Sequence, residues 1–118
     1  MDTIAIKSIN DKKVWEDFLA QHPEANFLQS WYWGEFHKAL GNVIDRVGFF
    51  QAGNLVGIML SVVEDAKRGR YLTVPAGPII DWHDEGMVKS FISEIKRNIF
   101  VNVFYHRRQG RVNVNDVY

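Results

Sequence analysis

The chain contains no cysteine, which excludes a disulfide framework, a thiolate metal site and a thiol nucleophile. Net charge is also missing: fourteen Lys and Arg balance fourteen Asp and Glu. That balance leaves no global field for gripping nucleic acid or an anionic membrane, so any anion site must be local. Long hydrophobic runs are absent as well. The most apolar stretch, Val56 to Val63, is broken by Gly57 and Ser61 and falls far short of the roughly 20 residues that span a bilayer. At the start, Asp2 stands where a signal peptide needs a basic region, and the expected location is cytoplasmic. Glycine signatures that cradle phosphate do not occur.

What is present fits a soluble globular domain, with 47% apolar and 24% charged residues. A chain of 118 residues holds one domain with a real core and is too short for two of ordinary size. The expected organisation is a single domain over residues 1–104 followed by a divergent basic tail over 105–118. No repeat or low-complexity tract marks a second unit.

Local patterns predict the elements. Residues 3–9 carry Ile4, Ala5, Ile6, Lys7, Ser8 and Ile9 with the even positions mostly apolar, the period of a half-buried strand. Asn10 is the expected cap of a helix over 11–21, in which Val14, Trp15, Phe18 and Leu19 recur at helical spacing until Pro23. Ser30 caps a second helix with Trp33, Phe36 and Leu40 on one stripe and Gly41 as its stop. From Val43 the period becomes two, and Ala52-Gly53-Asn54 joins two hairpin strands, the second running from Leu55 to about Val63. A short strand over 71–74 follows, then an irregular segment around Pro75, Gly77 and Pro78. Asp84 caps a third helix carrying Met87, Val88, Phe91, Ile92 and Ile95, and Ile99 to Phe104 reads as a last strand. The order β-α-α-β-β-β-α-β predicts an α/β (α+β) domain, a mixed central sheet flanked by helices.

Several side chains invite chemistry. His22, His37, His83 and His106 lack short metal-ligand spacing, so no metal site is expected. Ser30 is a helix cap rather than a nucleophile, since no serine sits in an elbow context. Trp33 and Phe36 are expected to pack inward, with Trp31 and Tyr32 accessible. Asp81 either caps a turn or presents a carboxylate to a site. Arg107, Arg108 and Arg111 read as a solvated tail in preference to a phosphate or RNA contact.

Four blocks in order, Phe27-Leu28-Gln29-Ser30, Trp33-Gly34-Glu35-Phe36, Leu55-Val56-Gly57 and Val74-Pro75-Ala76-Gly77-Pro78-Ile79-Ile80-Asp81, resemble the Fem family of peptidoglycan-bridge aminoacyltransferases. The resemblance covers roughly residues 3 to 103, the first of two copies of the fold in that family. It implies an acetyltransferase-like (acyl-CoA N-acyltransferase) fold. It further implies transfer of an amino acid from aminoacyl-tRNA to an amino group on the peptide of a cell-wall precursor, with no nucleotide cofactor. Muramyl peptide and aminoacyl-tRNA are the implied partners, and a second domain or self-association the implied complement. By resemblance, a basic residue after the tryptophan meets the precursor phosphates. His37 and Lys38 stand there, and Lys38 is the permanent cation. Gly77, Pro78 and Asp81 complete the implied substrate-binding set, Lys38 and Asp81 being expected to share a cleft beside the Gly77-Pro78 loop. No catalytic residue is assigned. The sequence departs from the family at Ala76, where relatives tend to be basic, and at Asn102-Val103-Phe104-Tyr105, where they commonly carry arginine, a spacer, an acidic residue and proline. The alternative reading is a non-catalytic protein-interaction domain that retains the fold.

Overall fold

The computed structural model describes residues 3–105. Strand β1 spans Ile4–Ser8, helix α1 Lys12–Ala20 and helix α2 Trp31–Ala39, with a 3₁₀ turn at Phe27–Gln29 between the helices. Strands β2 (Val43–Gln51), β3 (Asn54–Ala66) and β4 (Gly69–Thr73) follow, then helix α3 (Glu85–Asn98) and a π-helical segment at Ile99–Tyr105. The strands lie in sequence order β1-β2-β3-β4 and every pairing is antiparallel. The domain is therefore mixed α+β, with three helices on a four-stranded sheet. The expected mixed sheet is corrected to an antiparallel one among the described residues. The basic tail with Arg107, Arg108 and Arg111 lies outside them.

The expected last strand is also corrected. Ile99–Tyr105 continues α3 as a π-helix, because no glycine or proline stops the helix there and polar side chains tie the junction. Asn98, fully buried, donates to Ser61 Oγ at 3.1 Å, and Asn102 Nδ2 donates to Asn98 Oδ1 at 2.5 Å. An apolar run rich in β-branched residues suits a strand, yet these long-range and i,i+4 bonds hold it to the helix.

Helix ends follow side-chain chemistry. Asp11, rather than Asn10, caps α1 by accepting from Lys13 N at 2.9 Å. Ser30 caps α2 through Trp33 N at 3.1 Å, and Asp84 caps α3 through Met87 N at 3.2 Å. At the end of α2, Gly41 takes φ +89° while its N–H reaches Lys38 O and that of Asn42 reaches His37 O, both at 2.9 Å. These are the two bonds of a Schellman stop.

Two cores sandwich the sheet. On one face Trp15 and Phe18 of α1 pack on Ile58, Leu60 and Val62 of β3. On the other, Met87 of α3, with the partly buried Val88, Phe91 and Ile95, covers Val47, Phe49 and Met59. Alternation breaks once. Phe49 pairs with Gly57 but Phe50 with Leu55, so Val56 is the extra residue of a β-bulge that reverses the facing of β3 on either side of it. The hairpin tip is a two-residue turn, Ala52-Gly53, with φ +52° and +82°, the primed geometry that matches strand twist.

Alanine carries a Cβ cost in that left-handed conformation which asparagine tolerates better. Ala52→Asn is expected to raise unfolding free energy by about 0.5 to 1 kcal/mol with the register kept. Chemical denaturation checks it, and an unchanged or lowered midpoint would contradict the turn assignment.

Candidate functional site

Helix α2 sits on the sheet by an unusual contact. Arg46, an inward residue of β2, is 8% exposed. Its Nη2 donates to Trp31 O at 2.7 Å and to Glu35 Oε2 at 2.9 Å, and its guanidinium lies 3.5 Å from the Trp31 ring centroid. Gly34 makes room for it: a Cβ there would stand 2.5 Å from Arg46 Nη2. Glu35 is consequently held below its ordinary carboxylate pKa, first by the Arg46 hydrogen bond. Burial pulls the Arg46 value down, and Glu35 opposes that.

This contact overturns the expected helix face. Gly34 and His37 are the buried positions of α2, Trp33 is half-buried, and Phe36 is 48% exposed. Trp31, expected to be accessible, is half-buried under Arg46, while Tyr32 is exposed as expected. The reason is steric. A helix seated through a glycine presents the stripe through Gly34 to the sheet, so that Phe36 and Leu40 turn outward while Trp33 packs, as expected, against the core around α1. Phe36 then stacks on Trp33 with ring centroids 5.0 Å apart.

A second junction joins the first and last family-like blocks. Gln29, buried, donates from Nε2 to Gly77 O at 2.9 Å and to Ala76 O at 3.2 Å, while its Oε1 accepts from Asn26 N at 2.8 Å. Its own carbonyl accepts from the buried Trp15 Nε1 at 2.8 Å. Within the Val74–Gly77 turn, Pro75 precedes Ala76 at φ +60°, and Gly77 N donates to Val74 O at 2.8 Å, the pattern of a type II turn. After Pro78, Ile79 rejoins the sheet through a two-way backbone bridge with Ile58.

Two clefts result. The first, about 320 Å³, lies where the end of β1 meets the start of β2 and is bordered by Lys38, Asn42, Asp45 and Arg46. Lys38 is exposed, with Nζ 3.6 Å from Glu35 Oε2. His37 is turned into the protein, its Nδ1 bonded to Asn42 Nδ2 at 3.0 Å and its ring edge-on to Trp33 at 5.2 Å. Burial and the neighbouring Glu94 push the Asp45 pKa up, partly offset by Arg97.

The second cleft, about 390 Å³, is bordered by His22, Glu24, Asp81 and His83 over Val56, Ile79 and Ile80. The β-bulge places Val56 in its wall, a usual employment of bulges. Asp81 accepts from His83 N at 2.9 Å, so its turn-capping role is realised at the rim of a cleft. Lys38 and Asp81, expected together, border separate clefts, and Gly77 faces Gln29 instead of either. Among the described residues no group of three His, Cys, Asp or Glu is placed to hold a metal, and no helix is long and apolar enough to cross a membrane.

Neither the burial of Arg46 nor the reach of Gln29 to the last block is announced by its sequence neighbours. A lone arginine between Asp45 and Val47 in a strand looks solvent-facing, although the alternation of β2 assigns position 46 to the inner face shared with Ile44. That parity was the available signal.

The architecture is that of an α+β domain whose ordered blocks meet at two polar junctions. The FemAB family model matches residues 11–102, and the chain belongs to the FemAB family. Membership implies a function of the peptidoglycan-bridge aminoacyltransferase type, with a peptidoglycan precursor and tRNA as partners in general. No curated protein and no solved structure matches the chain.

Because Arg46 is buried and Glu35 is not, removing the carboxylate strands a cation. Glu35→Ala is expected to cost about 2 kcal/mol, the scale of a charge-assisted hydrogen bond. The depressed Glu35 pKa stabilises the fold above the ordinary value of 4.5, and that contribution disappears as pH falls through the lower folded value. Denaturation curves from pH 7 to 3 should show the variant missing this acid-sensitive component. Parallel curves would contradict the pairing.

Proposed function

We propose that this domain recognises a peptidoglycan precursor for transfer of an amino acid from aminoacyl-tRNA to an amino group on the precursor's peptide. Membership of the FemAB family over most of the chain carries the reading. An acetyltransferase-like fold accords with the order of the helices and antiparallel strands up to α3. In the reaction an amine attacks an activated ester, so the site must align two substrates, accept a proton and stabilise an oxyanion.

The first cleft suits the anionic end of the precursor. Lys38 supplies an exposed ammonium there, and its flexible stem lets it meet a phosphate as a point charge. His37 acts through Asn42 and the aromatic packing of α2, setting the helix end from which Lys38 extends. Gly77 and Pro78 shape the second cleft by delivering Ile79 to Ile58, and Asp81 accepts a hydrogen bond from an amide or amine of the peptide.

Exposed apolar side chains favour a second reading, a protein-interaction domain: Phe27 is 70% and Leu40 60% exposed beside Phe36. Sedimentation separates the two, since a strict monomer at high concentration with precursor binding intact rejects the interaction reading as self-association.

Calorimetric titration with a soluble nucleotide-linked muramyl peptide tests the leading reading. Binding should weaken by about 1 to 3 kcal/mol in Lys38→Ala with the thermal midpoint retained. Absence of heat and of any midpoint shift at millimolar ligand would overturn precursor recognition.

A further inference from the structure

The second cleft differs from the first in charge. Its bordering ionisable groups are the carboxylates of Glu24 and Asp81 and the imidazoles of His22 and His83, with no lysine or arginine among them. Such a lining repels phosphate and attracts an ammonium. Over an apolar floor of Val56, Ile79 and Ile80, it fits an aliphatic chain ending in a primary amine.

His22 is held there in a defined orientation. It follows the last turn of α1, where its Nδ1 lies 2.7 Å from Phe18 O and its ring stacks on Phe18 at 4.1 Å between centroids. A carbonyl only accepts, so Nδ1 of the neutral ring carries the hydrogen and Nε2 is left with the lone pair. Phe18 is itself buried in the core, which pins the ring from its face as well as its edge. Nε2 has no hydrogen-bond partner among the described residues. A histidine that merely capped α1 would need only Nδ1.

Resting on the aminoacyl-transfer reading, we propose that the second cleft binds the acceptor amine of the peptide and that His22 Nε2 receives its proton. Glu24 and Asp81 hold the incoming ammonium, which passes one proton to Nε2 and becomes a neutral nucleophile. The amine nitrogen then bonds to the ester carbonyl carbon. The carbon–oxygen bond to the ribose breaks, and a second proton from the nitrogen ends on the departing hydroxyl. His83 borders the same cleft, with its backbone N–H engaged by Asp81.

Nitrogen NMR of the ¹⁵N-histidine-labelled full chain tests this. Two ligands are compared: the nucleotide-linked muramyl peptide with its side-chain amine free, and the same ligand with that amine replaced by a methyl group. The free protein should show His22 as the Nδ1–H tautomer. Saturation with the free-amine ligand should move the Nε2 resonance as its lone pair accepts a hydrogen bond from the ammonium, and the methyl ligand should leave it in place. His22→Asn keeps a donor for Phe18 O and removes Nε2. It should cut the preference for the free-amine ligand about tenfold in a chain that stays folded, the lost stacking on Phe18 showing only as a lower thermal midpoint.

An Nε2–H tautomer in the free protein would overturn the assignment outright. If both ligands bind but the His22 resonance stays still, or the asparagine variant keeps the preference, the proton-acceptor role falls and precursor recognition stands. If neither ligand binds, precursor recognition fails and the amine site fails with it.

Discussion

A buried guanidinium decides how this domain is assembled. Arg46 is removed from water by the sheet beneath it and by α2 above it, a placement that is costly unless the charge and most of the donors are answered, and its buried Nε has no hydrogen-bond partner among the described residues. Glu35 answers the charge, the Trp31 carbonyl a donor and the Trp31 ring the flat face, while Gly34 contributes by having no side chain. Three adjacent features of one helix are therefore committed to a single residue of β2. The axial position of α2 follows, and with it the place of Lys38 at the rim of the first cleft and the inward turn of His37. Only a helix lying this close to the sheet would bury Gly34 and leave Phe36 in solvent.

The family-like blocks acquire a physical meaning from these contacts. Gln29 of the first block closes on the carbonyls of Ala76 and Gly77 in the last, and the second block wraps Arg46. Much of what the blocks specify is thus the joining of helices to sheet. His37 and Lys38 lie just beyond the second block, and Asp81 closes the last. Between the two clefts charge is divided, cationic at the end of α2 and anionic beside Asp81, so a ligand with a phosphate at one end and an amine at the other meets opposite fields in turn.

Features governed by neighbours in sequence were legible beforehand. The caps at Ser30 and Asp84, the stop at Gly41 and the Ala52-Gly53 turn all follow from the chemistry of two to four consecutive residues, and each lies where the pattern places it. One-residue slips occurred where two candidates compete, as with Asn10 and Asp11, since only three-dimensional aim selects between neighbouring carbonyl-bearing side chains. Contacts between distant residues were not legible. Nothing near Arg46 announces that Gly34 will sit on it, and nothing near Ile99 announces that Asn98 reaches Ser61, a partner thirty-seven positions away. Propensity favoured a strand at 99–104 and tertiary bonding overrode it. Asp81 is legible as a turn cap from its place two residues before His83. The reach of His22 to Phe18 O, four residues earlier at the end of α1, is a local signal of the same kind.

The extra residue at Val56 divides the longest strand into two stretches that keep separate time. Between the Ala52-Gly53 tip and the bulge, in-or-out alternation is counted from the turn. Beyond Gly57 it is counted from the helices on either face. A change of length near the tip can be absorbed at this one position, without rotating Ile58, Leu60 and Val62 away from α1. The strand thus has a place where evolution or an engineer can add or remove chain in the hairpin, while the half that carries both cores keeps its phase.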